Sequence, residues 1–297
     1  MITVQLLGGA SLRSGDVLLG GPPMQRHRIA LLTLVVAAWP QPLSRDRALA
    51  LLWPERDLAG GRRLLNLSVH VLRTALGDDA ITSTGDGLLL DPLHVRCDLH
   101  ELRVAVTDRA HDRVVQVYAG PLLDGFHLSE STEFGYWLDE RRAELSHAFV
   151  GALLALAGQQ EQSGDVHAWV GTCRRLATVD PYSAVHALAL MKALDAAGDR
   201  TGAIQHASEY AQRLRADHEL DPDPDIAELA MRLRVEPKQR TPLRSTLSST
   251  LRSTLSSTLT STPTAPLTSP LEPSLGPPSG PSSGPPECRH DSRPSEK

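Results

Sequence analysis

From residue 98 to residue 235 the chain carries helical periodicity and no alternating strand pattern. Within that stretch the pair Gly164-Asp165 returns as Gly198-Asp199, a spacing of 34 residues. Each pair lies between two apolar-periodic segments, in "QSGDVHAWV" and "AAGDRTGAI". The period therefore marks a repeated helix–turn–helix unit, and such units bury their apolar faces only by stacking on one another. The helical segments are expected at 98–109, 133–163, 166–179, 183–197, 200–218 and 224–234.

The first 97 residues are organised differently. Residues 2–7 and 16–19 read as short strands with a turn at Arg13-Ser14-Gly15, and a further strand is expected at 10–13. Gly20-Gly21-Pro22-Pro23 breaks the chain before a helical pattern from Met24 to Ala38, which Pro40 and Pro42 end. Ser44 is placed to cap a second helix, "RDRALALLW", that Pro54 terminates. After the loop "PERDLAGG" a third helix, "RRLLNLSVHVLRTALG", runs to a cap at Gly77. "AITSTGDGLLLD" then reads as a hairpin turning at Asp86-Gly87. Small sheet, three helices and hairpin form the order of a winged helix-turn-helix, in which the third helix enters the major groove.

In that third helix Leu65, Val69, Leu72 and Leu76 repeat at helical spacing and define a buried stripe. The opposite face carries Arg63, Asn66, Leu67, His70 and Thr74, flanked by Arg62 and Arg73. Arginine pairs with guanine and asparagine with adenine, while peripheral arginines hold phosphates. Leu67 suits a thymine methyl. Thr82, Ser83 and Thr84 precede the wing turn and offer hydroxyls to phosphate, and Ser44 and Arg45 sit at a helix N-terminus suited to the backbone. The bland reading of each is a solvated helix back, a strand's outer face or a simple cap.

Charge divides along the same lines. Residues 1–97 hold 10 Lys+Arg against 8 Asp+Glu, whereas residues 98–235 hold 13 against 22. With a whole-chain net charge of −5, any phosphate contact must come from a local patch. The three cysteines, Cys97, Cys173 and Cys288, are too scattered for a disulfide framework, and the N-terminus lacks the pattern of a secretory leader. The longest apolar run, Ile29 to Trp39, is too short to span a bilayer. These features imply a cytoplasmic protein with no membrane partner. From residue 236 the composition turns to Ser, Thr and Pro, with "RSTLSSTL" in tandem at 244–251 and 252–259. A stretch of that kind buries too little apolar surface to fold, and a disordered tail is expected.

The segment "LSRDRALALLWPERDLAGGRRLLNLSVHVLRTALG" with "ITSTGDGLLLD" resembles the OmpR-type winged helix of Streptomyces antibiotic regulatory proteins (the SARP family). "YAGPLLDGFHLSESTEFGYWLDERRAEL", with the stretch from "RRLATVDPYSAVHALALMKALDAAGDR" to "ELDPDPDIAEL", resembles the bacterial transcriptional activator domain that follows it in that family. No Gly-rich phosphate loop ending in Lys-Ser/Thr is present, so the likeness is to the short regulators. Where the family pattern commonly places long polar residues, this chain has Leu67, Val71 and Thr74, while Arg63, Asn66, His70 and Arg73 match in position or type.

The resemblance implies three parts: an α+β winged helix-turn-helix over 1–97, an all-α tetratricopeptide-like activator domain over 98–235 and the disordered tail over 236–297. It implies a DNA-binding activator that recognises promoter direct repeats, aids RNA polymerase recruitment and controls secondary-metabolite genes. The helical domain would position the polymerase or a second copy in a homodimer. A rival reading is a protein–protein adaptor whose winged helix has lost DNA specificity. No nucleophile–base arrangement stands out, so no enzyme and no cofactor are expected. His94, Cys97 and His100 have zinc-like spacing without a fourth ligand, and we take that spacing as coincidence.

Overall fold

A computed structural model describes residues 2–235; the expected disordered tail lies outside them. Strands β1 (Ile2–Gln5), β2 (Ser11–Ser14) and β3 (Val17–Leu19) form an antiparallel meander. Helix α1 (Arg26–Ala38) follows, buried without interruption from Ile29 to Val36. A helix apolar all round belongs in a core, and α1 is the post on which the N-terminal part is packed. Next come β4 (Leu43–Ser44), α2 (Arg45–Leu52), α3 (Leu58–Leu76), and the hairpin β5 (Ile81–Thr84) and β6 (Gly87–Leu90). β4, β6 and β5 form a second sheet in that order. Strand β7 (Val95–Cys97) then returns to pair in parallel with β1, Ile2 opposite Val95, and completes the first sheet as β3-β2-β1-β7.

The helical part comprises α4 (Asp98–Thr107), α5 (His111–Val117), α6 (Thr132–Ser163), α7 (Val166–Val179), α8 (Ala184–Ala196), α9 (Arg200–His218) and α10 (Pro224–Val235). From α6 to α10 each helix packs on the next, in tetratricopeptide-like hairpins. The Gly-Asp pairs are the hinges. Gly164 and Gly198 take φ of 73° and 80°, the left-handed conformation that ends a helix cheaply only for glycine. Asp165 and Asp199 then cap the following helices, accepting from the N–H groups of Ala168 and Gly202 at 3.1 and 2.9 Å.

Several expectations are corrected. Helix α3 begins at Leu58, one turn before the expected start, because Gly60 and Gly61 lead the helix instead of forming a loop. Gly61 is buried, and a Cβ there would come within 3.2 Å of Leu49 Cδ2, so glycine allows α3 to close on α2. The hairpin turns at Gly85-Asp86, not Asp86-Gly87. Gly87 is the first, buried residue of β6, where a Cβ would stand 2.6 Å from Pro42 Cβ. The short elements β4 and α5 were not expected, being too brief for periodicity to register.

Two hydrophobic clusters meet along α6. Phe134 and Leu138 join the cluster built on α1, and Phe149, Leu153 and Ala157 join the one shared by α7–α10. Between the N-terminal sheet and α4 the chief tie is Asp98, whose carboxylate accepts from the backbone N–H groups of Leu6, Leu7 and Leu99 at 2.7–3.0 Å. Burial pushes this carboxyl above the usual range, and the three donors pull it back. Asp98→Ala strands those donors. We expect it to lower unfolding free energy by about 2–4 kcal/mol, read from the urea midpoint, while Asp108→Ala on the surface stays within about 0.5 kcal/mol of wild type.

Candidate nucleic-acid interface

Nineteen residues make α3 roughly 28 Å long. Its core stripe of Leu65, Ser68, Val69, Leu72 and Leu76 is buried against α1, α2 and β5. This leaves Arg62, Arg63, Asn66, Leu67, His70 and Thr74 exposed, and Arg73 half-buried at the edge. Neither the Arg62 nor the Arg63 guanidinium has a partner among the described residues. Leu67 is 50% exposed, a large apolar side chain set among polar neighbours. The Thr74 hydroxyl turns inward and donates to the His70 carbonyl at 3.0 Å.

The β5–β6 hairpin is locked beside this face by two arginines. Arg73 donates from Nε to the Ile81 carbonyl at 2.7 Å and from its terminal nitrogen to Ser83 Oγ at 3.1 Å. Arg45 donates to Asn66 Oδ1 at 2.9 Å and reaches Ser83 Oγ at 3.5 Å. One serine hydroxyl thus joins α2, α3 and β5. Strand alternation put Ser83 within reach of sequence reasoning, since it shares the face of buried Ile81. Thr82 points elsewhere, donating to the Leu89 carbonyl across the hairpin at 3.4 Å, and Thr84 stands exposed near the tip. Ser44 is foremost a cap: its Oγ accepts from Arg47 N at 3.2 Å. The Arg45 backbone N–H donates to the Asp86 carbonyl at 3.1 Å, fixing the hairpin tip over the start of α2.

The residues with zinc-like spacing are not brought together. His94 pairs with Asp91 at 3.1 Å, and the His100 ring stands edge-on to Trp39. Cys97 is buried in the core, its thiol pushed up to about 12 by burial beside Asp98. Among the described residues no three His, Cys, Asp or Glu side chains cluster to hold a metal. No helix among them is long and apolar enough to cross a membrane.

Comparison with known families bears on the helical part. Residues 95–234 match the family model of the bacterial transcriptional activator domain. The matched stretch, a little under half of the chain, is similar to that domain. The match begins at β7, so the first residues of the activator domain complete the N-terminal sheet. Among solved structures the chain is similar to Mycobacterium tuberculosis EmbR, determined in complex with a low affinity phosphopeptide. Identity is 20%, the TM-score is 0.57, and the alignment covers 86% of this chain and 71% of EmbR. At that identity the likeness is one of fold. No curated protein matches the sequence significantly.

Two outcomes follow from this geometry. Arg73→Met should lower stability by about 1–2 kcal/mol in urea unfolding through loss of its bonds to β5, whereas Arg62→Ala and Arg63→Ala should leave it within about 0.5 kcal/mol. Burial also holds the Cys173 thiol up at about 11, so Cys97 and Cys173 are both protonated near neutrality. Both should resist iodoacetamide at pH 8 in the folded protein and react in urea, as read by peptide mass mapping.

Proposed function

We propose that the chain is a sequence-specific DNA-binding transcriptional activator of the antibiotic-regulator type. In this reading residues 1–97 are a winged helix-turn-helix, with α2 and α3 as the helix pair and β5–β6 as the wing. The observation that carries it is the exposed polar face of α3, held rigidly beside the hairpin in a chain whose helical part is similar to an activator domain. Arg63, Asn66 and His70 read base edges, and Leu67 meets a thymine methyl. Arg62 and the Ser44 end of α2 hold phosphates, with Thr82 and Thr84 of the wing nearest the backbone. Arg45 and Arg73 act chiefly by positioning Asn66 and the wing. The activator domain, residues 98–235, brings RNA polymerase or a second copy to promoter direct repeats, including those of secondary-metabolite genes. The protein works by binding, not catalysis, in the cytoplasm.

The rival adaptor reading draws on one observation, a groove of about 610 Å³ between α9 and α10 lined by Ala207, Ala211, Ile226 and Ala230. DNA retention separates the two. The purified chain is mixed with fragmented genomic DNA, retained fragments are sequenced, and affinity for the enriched site is followed by fluorescence anisotropy against salt. We expect a few promoter regions with repeats, and roughly a tenfold to fortyfold loss of affinity between 50 and 200 mM salt, as two or three released counterions require. Arg62→Ala should reduce the salt slope by about 1 while sparing sequence preference. Arg63→Ala with Asn66→Ala should flatten the preference. Uniform, weak retention overturns the reading and favours the adaptor.

A further inference from the structure

Arg45 and Arg47 are separated only by Asp46 in sequence, yet the fold sends them to different places. Arg45 joins the α3–hairpin network. Arg47 lines a cleft of about 360 Å³ where α1, β4 and α2 meet the activator-domain helix α6. Leu34 and Ala38 of α1 and the Trp137 indole give the cleft apolar walls, and Gln41 adds an amide. Arg141 of α6 lines the same space.

Two features of these arginines go beyond packing. The Arg47 guanidinium is exposed and has no acceptor among the described residues, although its neighbour Asp46 lies on the same short helix. Arg141 is paired through its terminal nitrogens with Glu140 and Glu144, but its Nε–H is buried without a hydrogen-bond partner. A buried donor with nothing to donate to is uncommon in a folded protein and is relieved by an acceptor from outside. A third arginine, Arg103, donates to the Ala37 carbonyl at the cleft wall. Arg103 has its pKa lowered by burial first and by Arg141 second, with Glu144 pulling it back up. Arg47, Arg103 and Arg141 set against Glu140 and Glu144 leave one net positive charge at the cleft, which favours an anion, while the walls favour an apolar body.

We propose that this cleft binds a small amphipathic organic anion, an aromatic carboxylate whose ring lies against Trp137 and whose charge is met by Arg47 and Arg141. The volume lies within the range of small-molecule sites, which favour junctions between structural units. Its walls come from both sides of such a junction: α1 and α2 from the part that carries the α3 face, α6 from the activator domain. A bound ligand would bridge the two. The inference stands on the cleft alone and does not rest on DNA binding.

The full chain is titrated with benzoate, phenyl phosphate and the neutral isostere benzamide, with saturation-transfer NMR to detect contact and calorimetry for affinity. We expect benzoate to bind, to quench Trp137 fluorescence, and to lose at least tenfold in affinity in Arg47→Gln. That variant keeps the wild-type melting temperature, because Arg47 is exposed and unpaired. Trp137→Phe should retain binding and lose the quench, which assigns the signal to this cleft. Preference for phenyl phosphate over benzoate, with the same Arg47 dependence, would support the site and move the ligand class to phosphate monoesters. No binding of either anion, equal binding of benzamide, or affinity unchanged in Arg47→Gln would overturn the proposal.

Discussion

The Asp98 carboxylate accepts from the backbone N–H groups of Leu6 and Leu7, beyond the end of β1, and from Leu99 in its own helix. These N–H groups would otherwise end a strand and begin a helix without partners in a half-buried place, where an unmet donor is costly. Because β7 pairs with β1 immediately before Asp98, one short segment closes the N-terminal sheet, starts α4 and turns the chain into the activator domain. Further ties converge on the same junction. Leu123 N–H donates to the Leu6 carbonyl, Arg142 of α6 grips the Leu122 and Leu123 carbonyls, and Ser131 donates to the Leu51 carbonyl. Gly8 and Gly120 permit the approach, since a Cβ on Gly120 would lie 3.0 Å from Gly8 Cα.

With that junction fixed, α1 becomes the common core and α3 is held with one face inward and one outward. The outward face is not a loose set of cations. Asn66 and the hairpin are oriented by Arg45 and Arg73 through Ser83, so two of the arginines nearest the surface act structurally and leave Arg62 and Arg63 as the unpaired charges. A preorganised face loses little side-chain freedom on meeting a partner. The modest charge of the helix is therefore compatible with selective contact, in which geometry contributes more than general attraction.

The activator domain rests on a different economy. Its turns use glycine to leave one helix and aspartate to enter the next, and its helices carry many small residues that allow close stacking. The long helix α6 is shared, with one end in each hydrophobic cluster. A ligand or partner touching α6 is thus coupled by continuous packing to α1 and α2. Among the described residues the cleft beside Trp137 is one place where that coupling meets solvent.

Period and punctuation fixed much of this in advance. The 3.6-residue repeat of Leu65, Val69, Leu72 and Leu76 determined which face of α3 is buried, and the 34-residue return of Gly-Asp determined where two helical hairpins turn. Ser44 as a cap was equally legible, because capping is a contact between residues three apart. What the sequence could not decide were contacts that local pattern does not encode. The close approaches of Leu49 to Gly61 and of Pro42 to Gly87, which leave no room for a Cβ, are visible only once the elements pack. That β7 pairs in parallel with β1, about ninety residues away, is a contact that only the packed chain decides. The roles of Arg45, Arg47 and Arg73 diverged because side chains near in sequence face different neighbours once the elements pack. Local propensity determined the longer elements; long-range packing decided the shortest ones, the exact boundaries, and which polar groups face inward and which are left to meet a partner.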